Sequence, residues 1–357
     1  MNLDNFSDFE KIDPMKVGKA LALFPDQIRE CFTQATNADI PMIEFKSVLV
    51  SGMGGSSNAA KIIESLMQKD SKFPFVLYND YGLPGWVDSD TLVIANSYSG
   101  NTEETLSAIT EAKKRGSKTL GVSTGGKIAE MIKSGEIEGA VVTPGDTNRT
   151  GYPKTGLGVS LGALLGVLAK AGVIPYFKED VMAALADLED VRRNWLPEIL
   201  TKDNLAKELA EWFHGAIPAL FGGRPFIGSL NAGRNVICEV GRTFGLFFDF
   251  PEVDHVMVEA TLKPDFAKDK IKYLFLESSF NHERVKLRYG VTKELFEKQG
   301  LSYKSYELRC KSELSQALEI PHLCAWIGYY LSILEGVDPG PEPWIIELKN
   351  KLFQPVH

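Results

Sequence analysis

The strongest constraint on the fold is an alternation of short β-branched runs with helical stretches in the first half of the chain. Each run is bounded by Gly, Pro, Asn or Asp, a pattern typical of buried parallel strands. The intervening stretches place apolar residues at helical spacing. The five runs span residues 46–52, 73–79, 91–97, 117–123 and 139–144. The pattern predicts an α/β fold built on a doubly wound, flavodoxin-like parallel sheet.

A weaker form of the same pattern follows in the second half. Strand-like runs lie at 224–229, 272–278 and 301–308. A charged helical segment at about 178–211 separates them from the first half, and the length of 357 residues suggests two domains. We therefore predict two doubly wound lobes related by an imperfect duplication. Residues 1–185, with a helical N-terminal extension, would form the first, and residues 186–357, with linker helices, the second.

Net charge narrows the choice of partners. The formal charge of −8 argues against nucleic acid or an anionic membrane surface as the main partner, so an anionic ligand would have to be held by a local site. The first residues contain no apolar signal segment, and no window reaches the roughly 18 apolar residues of a membrane span. We expect a cytoplasmic protein without a membrane partner.

The thiol and imidazole residues predict no metal site. The cysteines are far apart and form no CxxC pair, and the histidines form no HxH or HExxH cluster. Buried thiols and a protein without metal or cofactor are therefore expected. The residues concerned are Cys31, Cys238, Cys310 and Cys324, and His214, His282, His322 and His357.

The stretch SYSGNTEET, residues 97–105, lies where a predicted strand ends and a helix begins. The first-turn N–H groups of such a helix are unsatisfied, and its dipole favours an anion. Ser97, Ser99 and Thr102 add hydroxyl donors, and Gly100 lets the backbone approach a ligand closely. These features predict a phosphate-binding turn. The alternative is an ordinary helix N-cap at Asn101 or Thr102.

A second Gly-rich turn, SGMGGSSNAAK at 51–61, follows the first strand and also opens a helix. It lacks the GxGxxG spacing of dinucleotide sites and the Gly-Lys-Ser/Thr of P-loop nucleotide sites. Taken alone, it could be a tight turn that allows a strand and a helix to pack closely. Two such turns at neighbouring strand ends favour a pocket for a sugar phosphate.

These turns, followed by STGG at 123–126, resemble the sugar isomerase (SIS) domain family, whose members bind phosphosugars. The whole chain resembles the bifunctional phosphoglucose/phosphomannose isomerases, which have two SIS domains. Four further segments carry this likeness: NRTGYP (148–153), CEVGR (238–242), PEVDHVMVEA (251–260) and DPGPEPWIIELKNKL (338–352). The resemblance implies an isomerase that converts glucose 6-phosphate, and with it possibly mannose 6-phosphate, to fructose 6-phosphate through a cis-enediolate.

The resemblance also implies roles for individual residues. Glu239 would be the base that moves a proton between C2 and C1, and Arg149 would lie over the C1 and C2 oxygens. His255 would open the sugar ring from the partner subunit of a homodimer, and Lys349 would assist it or bind a hydroxyl. The phosphate would be held by the two turns, at Gly54, Gly55, Ser56, Ser97, Ser99 and Thr102.

Several residues near the reactive end of the sugar depart from the family pattern. Cys238, Gly241 and Arg242 replace Asn, Ala and Lys around Glu239. Val256 replaces Asn after the histidine, and Glu342 stands where Thr is expected. Two alternatives therefore stay open. One is an isomerase, deglycase or deaminase acting on another 6-phosphosugar, and the other is a regulator that binds a phosphosugar without catalysis.

Overall fold

The computed structural model describes residues 2–5, 7 and 9–352. Its first half contains a five-stranded parallel sheet in the order β2-β1-β3-β4-β5, the order expected of a flavodoxin-like sheet. The central strand β3 is buried at every position because helices cover both faces. The strands are β1 (Ser47–Ser51), β2 (Phe75–Tyr78), β3 (Thr91–Ser97), β4 (Lys118–Ser123) and β5 (Glu138–Val141). All five agree with the runs predicted from the sequence.

Helices of the first lobe connect these strands and extend to either side of them. A 3-10 turn at Pro153–Thr155 precedes the apolar helix α7. The helices are α1 (Phe9–Ile12), α2 (Val17–Ala22), α3 (Phe24–Thr36), α4 (Gly54–Met67), α5 (Glu103–Arg115), α6 (Gly126–Lys133) and α7 (Leu157–Lys170). Helices α4, α5 and α6 each begin at a carboxyl end of a strand, so their N-termini gather at one edge of the sheet.

The second half repeats the arrangement with one strand fewer. Its parallel sheet has the order β7-β6-β8-β9, which corresponds to the first four positions of the first sheet. The strands are β6 (Ile217–Gly223), β7 (Leu246–Phe250), β8 (Ile271–Glu277) and β9 (Tyr303–Glu307). The helices are α8 (Lys178–Arg192), α9 (Leu205–Phe213), α10 (Ile227–Gly241), α11 (Val253–Val256), α12 (Ala267–Lys270), α13 (Glu283–Gln299), α14 (Glu313–Glu335) and α15 (Pro343–Leu352). The predicted class of fold is confirmed.

One predicted strand of the second lobe is wrong. Residues 224–229 contain the turn after β6 and the first residues of α10, and the strand is the preceding run 217–223. Pro225 has no N–H to donate to a sheet, so a strand interior is a poor place for it. The edge strand β7, with sequence LFFDF, has no β-branched residue and was not predicted.

The two lobes share one large apolar core. Helix α10 packs against α4 of the first lobe and against α14, and the core contains buried residues from both lobes. The approach of α10 to α4 is close because Gly228 has no side chain: a Cβ there would lie 1.8 Å from the carbonyl oxygen of Lys61. The predicted boundary between residues 185 and 186 falls within α8 and stays a prediction.

Helix α14 is the one described helix that is long and apolar enough to cross a bilayer by length and composition alone. Its apolar window is 94% buried inside the protein. Its length and composition therefore suit the centre of the shared core.

Candidate active site

The two predicted phosphate-binding turns meet at the carboxyl edge of the first sheet. The backbone N–H of Tyr98, after β3, donates to Ser56 Oγ at 2.9 Å, and the side-chain amide of Asn96 donates to the Ser56 carbonyl at 3.0 Å. Ser56 is buried in the first turn of α4, and Gly54, with φ of +54°, begins that helix. The structure therefore brings together the hydroxyl-rich turns that are separated by about 40 residues in the sequence.

Hydroxyl groups of the turn before α5 are linked to one another. Ser97 Oγ lies 2.8 Å from Thr102 Oγ1 and accepts a hydrogen bond from the Gly100 N–H at 3.1 Å. Ser99 Oγ accepts from the Asn101 N–H at 3.3 Å. Gly100 has φ of +69°, and a Cβ there would lie 1.8 Å from the Gly125 carbonyl oxygen. Only glycine fits this close turn.

The N-cap alternative for this turn does not match the structure. Thr102 is the residue before α5, but its side chain makes no capping hydrogen bond. The Asn101 side chain instead accepts from the Lys127 N–H at 3.0 Å, in the first turn of α6. The first-turn N–H groups of α5 are thus not capped by either predicted side chain, which leaves them available to an anion.

Glu239 reaches this region because α10 runs antiparallel to α4. Three hydrogen bonds cross between the helices, and as residue numbers rise along α10 they fall along α4. The bonds join Gly228 to Ser65 (2.8 Å), Asn231 to Lys61 (3.2 Å) and Asn235 to Asn58 (2.7 Å). One further turn of α10 carries Glu239 to the level of the N-terminus of α4, where the phosphate-binding turn begins.

Lys154 supplies a buried cation that the sequence analysis did not identify. It lies in the 3-10 turn before α7, is 4% exposed, and its Nζ lies 3.6 Å from Glu342 Oε1 and 5.5 Å from the Tyr152 ring centre. Burial, and then the charge of Arg242, lower the pKa of Lys154 to about 8, against the opposing influence of Glu342 and Glu239. A lysine in a loop is usually exposed, so the residue type alone does not predict that Lys154 is buried. The following apolar helix was the signal that its turn is buried.

The ionisation of Glu239 suits a general base. Burial, and then the negative charge of Glu342, raise the pKa of Glu239 to about 7, while Lys154 and Arg242 act in the opposite direction. A carboxylate whose pKa lies close to the working pH is both available and basic enough to remove a carbon-bound proton. Glu239, Lys154, Arg242 and Glu342 therefore form one charged cluster near the phosphate-binding turns.

Arg149 lies apart from this cluster. Its side chain is 74% exposed and pairs with Asp146, three residues earlier, at 2.7 Å. The hydrogen bond from Arg149 to Asp146 also raises the pKa of the guanidinium. Arg149 is not among the charged groups that act on Glu239, and its role at the C1 and C2 oxygens stays a prediction. The geometry favours Lys154 as the cation beside the base.

His255 and Lys349 are both exposed on short or peripheral helices. His255 lies on α11, after the edge strand β7, and Lys349 on α15, in which no residue is buried. Among the described residues, neither side chain makes a hydrogen bond or ion pair with Glu239. Their own chain does not bring them into the charged cluster, and their roles stay predictions.

One departure from the family pattern, Gly241, has a structural explanation. A Cβ at Gly241 would lie 2.9 Å from the Cα of Gly328 in α14, so glycine serves the close packing of these helices. Arg242 ends α10 with φ of +52°, and its charge acts on both Glu239 and Lys154. Cys238 is half-buried and Val256 is exposed.

Similarity to known proteins identifies the class of protein to which this fold belongs. The family described as "SIS domain" matches residues 42–131, and "bacterial phospho-glucose isomerase C-terminal SIS domain" matches residues 202–352. The fold is similar to that of a glucose-6-phosphate isomerase like protein from Thermus thermophilus, with a TM-score of 0.61, 17% identity, and coverage of 98% of this chain and 99% of that one. It is also similar to glucosamine-6-phosphate deaminase from Thermotoga maritima, with a TM-score of 0.62, 18% identity, and coverage of 91% and 97%. This is a two-lobed SIS protein.

Sequence relatives then give the particular family. A bifunctional phosphoglucose/phosphomannose isomerase from Aquifex aeolicus is 31% identical over 309 residues, which cover 86% of this chain and 91% of the relative. Another, from Caldicellulosiruptor bescii, is 29% identical over 336 residues and covers 92% and 97%. The chain belongs to the bifunctional phosphoglucose/phosphomannose isomerase family. This confirms the predicted family and, at the level of enzyme class, the prediction of a sugar-phosphate isomerase.

Proposed function

We propose that the site interconverts the aldose and ketose forms of a hexose 6-phosphate, with glucose 6-phosphate and mannose 6-phosphate as aldoses and fructose 6-phosphate as the ketose. The observation that carries this proposal is Glu239, a half-buried carboxyl with a pKa raised to about 7, within electrostatic reach of the buried Lys154 ammonium. A base and a fixed cation are the two groups that an enediolate route needs.

The phosphate would bind at the turns before α4 and α5. Backbone N–H groups at both helix N-termini and the hydroxyls of Ser56, Ser97, Ser99 and Thr102 would donate to its oxygens. Gly54 and Gly55 keep the first turn free of side chains. With the phosphate held at this edge, the other end of the sugar could extend towards the charged cluster at Glu239.

The proton transfer would then follow from the charges. Glu239, as a carboxylate, removes the proton from C2 of the open-chain aldose, and the carbonyl oxygen at C1 takes up the electron pair. Lys154 stabilises the resulting enediolate by donating to its oxygen. Glu239 returns the proton to C1, and the C2 hydroxyl gives its proton to the oxygen on C1, so that C2 becomes the carbonyl carbon of the ketose. In this scheme Lys154 has the role that the sequence resemblance gave to Arg149.

The protein would act as a cytoplasmic homodimer with a shared site. His255 is exposed on α11 and out of contact with the base of its own chain, as a residue supplied to a partner would be. Val256 is 62% exposed beside it. Ring opening by a partner's histidine and assistance by Lys349 belong to this proposal. A metal or cofactor has no part in it.

The decisive experiment replaces Glu239 with Gln, which keeps the shape of the side chain but cannot accept a proton. Turnover of glucose, mannose and fructose 6-phosphates should fall by roughly two to four decades, with little change in affinity. Glu283→Gln, at an exposed glutamate paired with Lys286, is the matched control. In deuterated water the parent should introduce deuterium at C2 of the recovered aldose.

Three results would contradict the proposal. Parental turnover in Glu239→Gln would show that another group is the base. A parent that binds sugar phosphates but neither isomerises them nor exchanges the C2 proton would favour the phosphosugar-binding regulator. Activity with a different 6-phosphosugar only would favour the remaining alternative.

A further inference from the structure

Glu342 contributes a second carboxylate to the charged cluster. It lies directly before α15. Among the carboxylates, it has the largest effect on the pKa of Lys154 and on that of Glu239. The Glu342 side chain is 12% exposed and that of Lys154 is 1% exposed, so water screens their interaction weakly. The pair therefore belongs to the interior of the site rather than to the surface.

The two side chains of this pair lie at the outer limit of a direct hydrogen bond. Lys154 Nζ lies 3.6 Å from Glu342 Oε1, which is beyond the normal length of an N–H···O hydrogen bond. Among the described residues, Lys154 Nζ has no hydrogen-bond partner although the atom is buried. An ammonium with buried, unused donors is costly to a folded protein, and such groups call for an explanation.

We propose that Glu342 is a positioning residue: at 3.6 Å its carboxylate holds the Lys154 ammonium chiefly by charge and leaves the N–H groups of that ammonium free to donate to an oxygen of the bound sugar. This inference rests on the proposed function and deepens it. Glu342 does not touch the reacting atoms. It fixes where the cation stands, and the substrate completes the hydrogen bonding of that cation.

A second consequence concerns the base. The charged groups that act on Glu239 are Glu342, Lys154 and Arg242, and those that act on Lys154 are Arg242, Glu342 and Glu239. Glu342 therefore opposes ionisation of Glu239 and favours the charged form of Lys154. Without its charge, both groups should lose their protons at a lower pH.

The experiment uses Glu342→Gln, which removes the charge and keeps the size of the side chain. The titration of the Glu239 carboxyl is followed by carbon-detected NMR in the ligand-free protein, and the pH profile of kcat/KM is measured in parallel. The midpoint of Glu239 should fall by about one pH unit, and both limbs of the rate profile should move to lower pH. Glu342→Asp, which keeps the charge, should lie between the parent and Glu342→Gln.

Glu347→Gln is the matched control because Glu347 lies on the same helix, α15, and pairs with exposed Lys351. It should leave the titration and the profile unchanged. A Glu239 midpoint that stays at the parental value in a folded Glu342→Gln variant overturns the inference, whether or not the parent is active. An inactive parent in which the midpoint still shifts overturns the proposed function instead, so the two failures can be told apart.

Discussion

Two buried lysines of this protein have opposite surroundings. Lys154 and Lys207 each have a side chain that is 1% exposed, and each Nζ lies 3.6 Å from a carboxylate, Glu342 in one case and Asp4 in the other. The Lys207 ammonium also donates to the carbonyl oxygens of Leu3 and Pro197, both at 2.8 Å. Within the described chain, the Lys154 ammonium has no hydrogen-bond acceptor.

Under the proposed mechanism, this difference separates a structural cation, Lys207, from a functional one, Lys154. The hydrogen bonds of Lys207 join the N-terminal segment to the linker before α9. The donors of its ammonium group therefore stabilise the fold. Lys154 keeps its donors unused, and burial with the charge of Arg242 lowers its pKa to about 8. Burying a charge without hydrogen bonds costs stability, and an active site is a place where that cost brings function.

The largest expected effect comes from Lys154→Met, which removes the charge and fills similar space. If Lys154 stabilises the enediolate, kcat should fall by about 10²–10³-fold, as for loss of one oxyanion donor. The melting temperature should fall, but less than in Lys207→Met, because the buried Glu342 carboxylate loses its cation while no hydrogen bond to a backbone carbonyl is lost. Steady-state kinetics and calorimetry test both points. Parental kcat in this variant would remove Lys154 from the mechanism.

Lys207→Met is the counterpart and should affect stability rather than activity. It leaves two buried carbonyl groups and Asp4 without their cation, which should cost about 2–4 kcal/mol of unfolding free energy. Urea denaturation measures this, and kcat at a temperature where the variant is folded should stay within about twofold of the parent. A variant that unfolds like the parent would show that burial and bonding do not distinguish the two lysines.

A smaller effect is expected when donors are removed from the phosphate-binding turns. Ser97→Ala combined with Thr102→Val removes two linked hydroxyls and should weaken sugar-phosphate binding by about 10–100-fold. Affinity for the unphosphorylated sugar should not change. Thr110→Val, at an exposed position of α5, is the control for calorimetric titration. Unchanged affinity in the double variant would place the phosphate elsewhere.

The smallest expected effect concerns the shape of the pH profile of kcat/KM. Under the proposed mechanism activity needs Glu239 ionised and Lys154 charged, so kcat/KM should rise with pH through about 7 and fall through about 8. These apparent values belong to the coupled pair. The alkaline limb should disappear in Lys154→Met and persist in Lys207→Met. An alkaline limb that survives in Lys154→Met would have to come from another group.

Much of the first lobe could be predicted because local sequence determines it. The β-branched runs bounded by turn residues gave all five strands, and hydroxyls after β1 and β3 gave the turns that the structure brings together. Glu239 was identified through its resemblance to a family pattern and not through any local signal. Its helix position alone would have suggested a surface ion pair.

Lys154 could not be predicted in the same way because its burial depends on packing between the lobes. It is separated from Glu239 by 85 residues in the sequence, and only the approach of α10 to α4 brings the two charges near each other. Arg149 was the more obvious cation, yet Asp146 three residues earlier was a visible local partner. Strand β7 was missed because its aromatic residues do not show the β-branched pattern.

The glycine at the start of α10 gives the site a mechanical property. Gly228 is the point where α10 touches the backbone of α4, and Glu239 lies eleven residues further along, about 16 Å away on a straight helix. A small change in the angle of α10 at this contact would therefore produce a larger displacement at Glu239. A methyl group added at Gly228 would push α10 away from α4 and move Glu239 relative to the phosphate-binding turns. Under the proposed mechanism, the position of the base would therefore depend on a residue that lies about 16 Å from it.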